Sequence, residues 1–513
     1  MTAQNTNLPP LPQRSKGFQT QPEVLNPVKC TVHGDIPAWV SGILYRAGPG
    51  TFDIDLPNGK KYEIQHWFDG LAQIHRFEIE NGNVSYMSRN TASGVEKRIK
   101  DGQERSSTFG QDICQTVFAK TASTIKETPA RPKGDGPSDT NVNVVVAVNY
   151  PGVNNPKVVT MLTDSNRIVD LDWKTLEPKE LYNYSKFNPK FEGMLSAAHP
   201  CVDPNTNETW QFVTVMGQNP GYNVFTISDA SPEGELVGFV PAKSAYIHSS
   251  FLTENYYVLC VPPYYVNGRE LMEKRNIVGA LHFDKDAPSQ FFVFDRRQRK
   301  QVATYEAPAF FFFHSINAYD NGTDLFLDVI GYEDTSIVQG IYFANLTQKA
   351  PLSSKFTAPD IRRYILSDVS SNAAGSSRQA SLSFLAKGVA PELPRVNDAN
   401  YCRPYTYFYA ANTADQKTEY GIFSDSVSKT NVETGESWIW KEEDCRPGEP
   451  IFIADPEGQD EDDGVLLSVV LDERKAESFL IVLNAKTMQE IARAQVHSVI
   501  PFGFHGAFMS QLP

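Results

Sequence analysis

The sequence predicts a large all-β protein. Three observations carry this. Short apolar or alternating runs recur from Val32 onward with turn residues between them; no long segment with the 3.6-residue helical period separates them; and aromatic residues, which suit pleated surfaces, make up 12% of the chain. The runs are, in order, Gly42 to Gly48, Ala72 to Met87, Val142 to Tyr150, Trp210 to Gly217 and Tyr256 to Val261. Phe291 to Arg297, Asp324 to Gly331, Gly464 to Asp472 and Phe479 to Lys486 follow. Asn81-Gly82 stands between two alternating stretches and signals a hairpin. Without intervening helices, βαβ winding is excluded and antiparallel pairing is expected. At 513 residues the chain could divide into several domains, or one radial β architecture could absorb it. No short repeat signature recurs, so pattern alone leaves a propeller and paired sandwiches both open.

Residues 1–20 are polar and Pro-rich and are expected to form a flexible tail, with 21–513 as a single domain. Lys126 to Ser138 and Ser367 to Ser377 read as long loops, the usual carriers of a site in a β protein.

Composition excludes several function classes. Lys and Arg total 47 against 61 Asp and Glu, a net charge of −14, which is a poor match to a phosphate backbone, so no nucleic-acid partner is expected. Part of the excess lies in Asp455 to Asp463, which reads as a solvated acidic loop and does not meet the EF-hand pattern. The six cysteines, Cys30, Cys114, Cys201, Cys260, Cys402 and Cys445, are scattered without a C-x-x-C and read as reduced thiols. The N-terminus lacks the apolar core of a secretion signal, and no apolar run is long enough to span a bilayer. A cytoplasmic protein, not secreted, is expected. The phosphate loop, the dinucleotide fingerprint, H-E-x-x-H and the G-x-S-x-G elbow are all missing; Gly48-Pro49-Gly50 lacks both a third glycine at dinucleotide spacing and a following helix.

The histidines carry the chemistry. Nine occur, and taken singly each is an ordinary structural residue. Four have a distinctive setting: His199 in Ser196-Ala-Ala-His199-Pro200, His248 in Tyr246-Ile-His248-Ser-Ser-Phe251, His314 after Phe310 to Phe313, and His505 in Phe502-Gly-Phe-His505-Gly-Ala-Phe508. Apolar surroundings disfavour a protonated imidazole, and the neutral ring is the form that binds metal. Residues so far apart in sequence converge only on a closed scaffold. An all-imidazole site suits Zn, Cu, Fe or Ni, and spacing does not choose among them.

At this point the sequence resembles the carotenoid cleavage oxygenase family, which includes the retinal-pigment-epithelium isomerase and the fungal and plant apocarotenoid-forming dioxygenases. Leu44 to Gly50 (LYRAGPG) and His66 to Phe77 (HWFDGLAQIHRF) resemble its N-terminal signature. The blocks around His199, His248 to Tyr256 and Phe312 to Asp320 resemble three ligand motifs, and Phe504 to Phe508 (FHGAF) resembles the fourth. Glu392 to Asn397, Gly448 to Pro456 and Glu461 to Val470 match further blocks in order, so the likeness spans nearly the whole chain.

The resemblance implies a seven-bladed β-propeller, with long loops forming a cap over a substrate tunnel and a central iron site. It implies one Fe(2+) per chain on His199, His248, His314 and His505, O2 as co-substrate, and no organic cofactor. It implies acidic partners for three of the histidines. Glu392 and Glu449 match two of them. For the third, counting back eight residues from Asp172 reaches Asp164, where the family has Glu; the shorter acid requires a closer backbone or a bridging water. His66 and His75 fall outside the metal positions and read as structural, and His33, His282 and His497 as surface or turn residues.

The family's substrates are long, conjugated and apolar. Phe313 is a candidate wall residue, though the Phe310 to Phe313 run serves equally as core. Stilbene-cleaving members resemble one another in a lysine just before the third acid; here that position is Thr163, which favours a carotenoid over a phenol. The short N-terminus and the HWFDG and YRAGPG segments are most similar to the fungal branch that trims torulene-like polyenes. The implied reaction is O2-dependent cleavage of one C=C bond to two aldehydes. The alternatives are a stilbene dioxygenase and a non-catalytic binding propeller, the latter disfavoured by the retention of all four histidines. Family members that take carotenoids often dip an apolar patch into a bilayer; Phe118 and Phe384 are the candidate positions here. No obligate protein partner is expected.

Overall fold

Seven sheets of four to six strands follow one another along the chain and close into a seven-bladed propeller, in a computed structural model that describes residues 15–103, 108–110, 136–346, 356–371, 376–386, 389–414 and 424–510. Pairing within the sheets is antiparallel between neighbours in sequence, apart from one short parallel edge at Ser377–Gln379. The innermost strands of blades two to six are Val145–Val148, Cys201–Asp203, Phe251–Leu252, Phe311–Asp320 and Pro391–Arg395. Blade seven presents Cys445–Pro447 and Ile451–Ala454, and blade one presents Gly506–Met509.

Local sequence explains the turns. Asn81 and Gly82 both adopt positive φ (50° and 73°), which closes the hairpin between Leu71–Glu80 and Asn83–Asn90 with Glu80 opposite Asn83. The same alternation that marks the strands builds the interior. In Phe310 to Phe313, Phe310 and Phe312 enter the apolar seam between blades four and five, while Phe311 and Phe313 point into the apolar cluster under the cap.

A strand in the middle of a blade is covered on both faces, so its run is apolar throughout rather than half polar. Gly42–Thr51 is buried at every residue. Separate apolar clusters fill the seams between blades one and two, two and three, three and four, four and five, six and seven, and seven and one. The remaining seam, marked by Ile361 and Phe408, merges with the cluster beneath the cap. That cap is made of Ile54 to Leu71, the helix Ser93–Lys100, and segments around Val278, Ile337 and Phe343.

The ring is closed twice. Gly506–Met509 completes blade one beside Gly42–Thr51, with Ile43 opposite Met509 and Arg46 opposite Gly506. Thr31–Gly34 completes blade seven at Glu490–Gln495. Both ends of the chain are thereby fastened into blades built by the other end, which ties the first and last blades together.

The N-terminal segment departs from the tail expected over 1–20. Residues 1–14 lie outside the described residues, but Lys16–Phe18 forms a 3-10 turn that docks. Phe18 is buried and packs edge-on against Trp67, Phe343 and Phe502. A single aromatic in a polar, Pro-rich stretch outweighs the composition of its neighbours, because burying one ring stabilises by about 2 kcal/mol. Cys114, Phe118 and most of the loop expected over 126–138 also lie outside the described residues; the other five cysteines are buried free thiols. Among the described residues no helix is long and apolar enough to cross a membrane.

Leu480 is fully buried in the seam between blades seven and one. Leu480→Ala is expected to destabilise the protein by about 2–5 kcal/mol through lost burial and an unfilled cavity. Chemical denaturation checks this, and a loss below about 1 kcal/mol would contradict the seam's role.

Candidate metal centre

The propeller brings together residues that the chain keeps far apart, one from each blade. His505 immediately precedes the inner strand of blade one, His199 and His248 lie just ahead of those of blades three and four, and His314 lies within that of blade five. The other three blades supply acids: Asp164 follows Val158–Leu162 of blade two, Glu392 lies in the inner strand of blade six, and Glu449 sits between the two short inner strands of blade seven. A local irregularity aims His314. The register with the neighbouring strand shifts between Phe312 and Ser315, so the pleat is broken at the histidine.

The four imidazoles converge. Their ligating nitrogens all lie within 4.8 Å of one another. Three of the rings are oriented from behind. The Nδ1 of His248 bonds Asp164 Oδ1 at 2.8 Å, that of His505 bonds Glu449 Oε1 at 2.8 Å, and that of His314 bonds Glu392 Oε2. A carboxylate accepts, so each Nδ1 carries the proton and each Nε2 presents its lone pair to the centre. His314 Nε2 and His505 Nε2 are 3.1 Å apart. Two lone pairs facing at that distance repel, and a cation between them turns the repulsion into two bonds. His199 has no acid behind it, and its buried Nε2 has no hydrogen-bond partner. Its backbone is fixed instead, with the amide donating to the His248 carbonyl at 3.3 Å.

Electrostatics agree with neutral ligands. Burial, helped by the neighbouring imidazoles and Arg395, holds His199 well below the usual histidine range. Burial pushes His505 down to about 3 despite Glu449. For Glu449, burial alone would favour the acid form, but Arg395, His505 and Arg46 outweigh it and hold the carboxyl far below its ordinary value. Four neutral nitrogen donors with ionised carboxylates behind three of them fit a divalent transition metal.

The acids have partners of their own. Tyr246 Oη donates to Asp164 Oδ2 at 2.8 Å, and Tyr332 Oη donates to Glu392 Oε1 at 2.5 Å. Glu449 accepts from Arg46 at 2.5 Å, from Arg395 at 2.8 Å and from the Gly506 amide at 2.8 Å. These four side chains were not singled out from the sequence. Arg46 had a signal, a lone cation inside an otherwise apolar run; Tyr246 had one too, since it stands two residues before His248 on a common face. Asp164 reaches His248 directly, so its shorter side chain needs no bridging water.

A cavity with about 1190 Å3 of empty space, part of it open to solvent, leads to His248, His314 and His505. Trp67, Phe68, Phe313 and Phe504 line it beside the imidazoles. Phe313 thus stands on the wall, with its ring centroid 5.4 Å from that of His248. Thr163 is half-buried and is not among the lining residues. Gly48-Pro49-Gly50 lies within the strand Gly42–Thr51 and serves packing: a Cβ on Gly48 would lie 2.4 Å from the Cα of Gly503. His66 is buried, bonding Val338 O at 3.1 Å, and His75 bonds Tyr86 Oη at 2.9 Å. His33, His282 and His497 are exposed. The acidic loop is neutralised locally, with Lys486 on Asp460 and Asp463 and Lys429 on Asp462.

Comparison with known proteins places this geometry. The sequence profile of the retinal pigment epithelial membrane protein family matches residues 17–510. The chain is 33% identical to a carotenoid dioxygenase of Neurospora crassa, over 96% of this chain and 90% of that protein. It is 32% identical to a torulene dioxygenase of Gibberella fujikuroi, over 95% and 92%. It is 30% identical to the mouse (Mus musculus) β,β-carotene 15,15′-dioxygenase, over 96% and 90%. Among solved structures it is similar to a cobalt-substituted Synechocystis apocarotenoid oxygenase, with a TM-score of 0.79 and 21% identity over 96% and 98% of the two chains.

Two expectations follow. Removing Glu449 leaves Arg46 and Arg395 buried with an unpaired share of charge, so Glu449→Gln is expected to lose about 3–5 kcal/mol. Glu392→Gln, whose partners are the His314 ring, a tyrosine and an amide and include no guanidinium, should lose only about 1–3 kcal/mol. Urea denaturation of the two variants checks the order, and equal losses would contradict it. His314→Ala is expected to abolish metal retention, read as metal per chain after dialysis, and wild-type metal content would refute its assignment.

Proposed function

The chain belongs to the retinal pigment epithelial membrane protein family, the carotenoid oxygenases, and from that premise we propose that it is an Fe(II)-dependent dioxygenase cleaving one C=C bond of a carotenoid or apocarotenoid, a torulene-like polyene, to aldehydes. That it is a carotenoid-cleaving enzyme rests on its relatives over nearly its whole length. The observation that carries the metal reading is the convergence of four neutral imidazoles beside an apolar cavity.

His199, His248, His314 and His505 would hold one Fe(2+) through Nε2. When bound, the iron would supply the activation of dioxygen, whose triplet ground state does not react directly with a closed-shell polyene. The chain's own residues do the rest. Asp164, Glu392 and Glu449 keep the Nδ1 protons in place and fix three ring planes. Arg46 and Arg395 keep Glu449 ionised, so that proton stays on His505. The aromatic walls exclude water and align an extended apolar chain, with Phe313 packing against it near the imidazoles. The chain from the Phe18 anchor onward acts as one unit around this site.

Two features favour a polyene over a hydroxystilbene. Thr163 stands where the stilbene-cleaving relatives resemble one another in a lysine, and among the described residues no lysine lines the cavity. The protein is read as cytoplasmic, with peripheral contact to membranes as the route to substrate. Exposed Met272 on the cap helix Gly268–Lys274, and the exposed pair Leu382 and Phe384, support such contact.

Purified protein loaded with Fe(II) should convert torulene or β-carotene to a shortened apocarotenal, identified by mass, and leave resveratrol intact. Phenolic aldehydes from resveratrol alone would overturn the carotenoid reading.

A further inference from the structure

Two polar side chains on the cavity wall take no part in holding the histidines, and both carry an unpaired buried atom. They lie in the seam between blades one and seven. Leu44 and Phe77 belong to the apolar cluster of that seam, whereas Ile43, Tyr45 and Ala47 belong to the next one. The two-residue period therefore turns Arg46, and His75 opposite it across the ladder, toward blade seven. Blade seven faces them with Arg446, Val469 and Leu471, all on the cavity wall. The walls are close: a Cβ on Gly448, two residues beyond Arg446, would lie 3.2 Å from Arg46 Nη2.

The hydrogen bonds differ sharply among the three bases. Arg46 is satisfied by Glu449 and by the Phe504 carbonyl at 3.0 Å. Arg446 is 8% exposed, and its one hydrogen bond among the described residues runs from Nη1 to its neighbour Cys445 O at 3.1 Å. Its Nε has no partner, and among the described residues it makes no ion pair. Glu473, the acid whose charge bears on it, accepts from Ser15 Oγ and the Lys16 amide. His75 is 1% exposed; its Nδ1 meets Tyr86 Oη and its Nε2 has no partner. An unmade hydrogen bond at such depth costs about 1–3 kcal/mol. The rest of this part of the wall, Phe18, Leu471, Ile500, Pro501 and Phe502, is apolar.

We infer that this arm of the cavity, at Arg446, binds an oxygen-bearing end group, a carboxylate best of all, on an otherwise apolar conjugated chain. The Arg446 guanidinium brings to the wall a charge that forms no ion pair among the described residues. A hydrocarbon end would leave that charge unpaired. The inference rests on the reading of the cavity as a polyene site and adds to it the class of substrate that fits, an apocarotenoid with an oxidised terminus.

Binding is measured anaerobically on the intact, iron-loaded protein by quenching of its tryptophan fluorescence, Trp67 being on the cavity wall. The probes are an apocarotenoic acid and its methyl ester. The acid is expected to bind about tenfold more tightly, the scale of one charge-assisted hydrogen bond. In Arg446→Met the acid and ester should bind within about threefold of each other. Equal affinities in the wild type, the result if the arm holds only water, would overturn the inference, as would undiminished discrimination in Arg446→Met. If that variant does not fold, the wild-type comparison decides by itself. A parallel aerobic assay with β-carotene separates the two readings: no cleavage with intact discrimination removes the activity and leaves the arm, and cleavage without discrimination does the reverse.

Discussion

Four imidazoles whose ligating nitrogens lie within 4.8 Å of one another constrain everything around them. Three of them point lone pairs at a common centre because a carboxylate behind each ring accepts a hydrogen bond from Nδ1 and so keeps the proton there. Each carboxylate then needs a donor on its far oxygen, which Tyr246, Tyr332 and Arg46 provide, while Arg395 joins His505 on the near oxygen of Glu449. The layers must all be in register at once, and only a closed ring of sheets can deliver one residue from each of seven blades to one axis. The double closure by Thr31–Gly34 and Gly506–Met509 is therefore part of the site's construction: the second of these strands starts one residue after His505.

The three braces are not equivalent. Asp164 and Glu392 are held by neutral tyrosine hydroxyls, and for Glu392 the neighbouring His314, with Tyr332 and the Leu393 amide, outweighs burial and lowers the carboxyl below its ordinary value. Glu449 is held by two guanidinium groups and remains ionised in complete burial. His505 is thus the ring oriented most firmly, and His199, with no acid behind it, relies on backbone pairing to blade four. This graded support belongs to a site that must keep its ligands neutral while surrounded by charge.

Much of this was legible in the sequence, for physical reasons. Strands buried on both faces leave continuous apolar runs, and hairpins leave Asn-Gly, so the all-β class followed from pattern. The number of blades did not, because sheets that pack through irregular aromatic seams need no repeated motif. The four histidines stood out because imidazoles in apolar surroundings are unusual, and the family resemblance fixed them as a set. Asp164 was reached by counting from a turn, and its direct contact with His248 shows that the backbone accommodates the shorter acid. The supporting tyrosines and arginines were missed because their partners are distant in sequence: Arg46 and Glu449 lie 403 residues apart. Phe18 was missed because composition averaged over a tail conceals one anchoring ring.

The central claim is that this protein holds a metal through imidazole nitrogen alone, on His199, His248, His314 and His505. Iron K-edge X-ray absorption on the reconstituted protein tests it most directly. The account predicts a first shell of nitrogen and oxygen only, with the outer-shell scattering pattern of four imidazole rings. A sulfur scatterer, or a pattern that fits two rings or fewer, would contradict it.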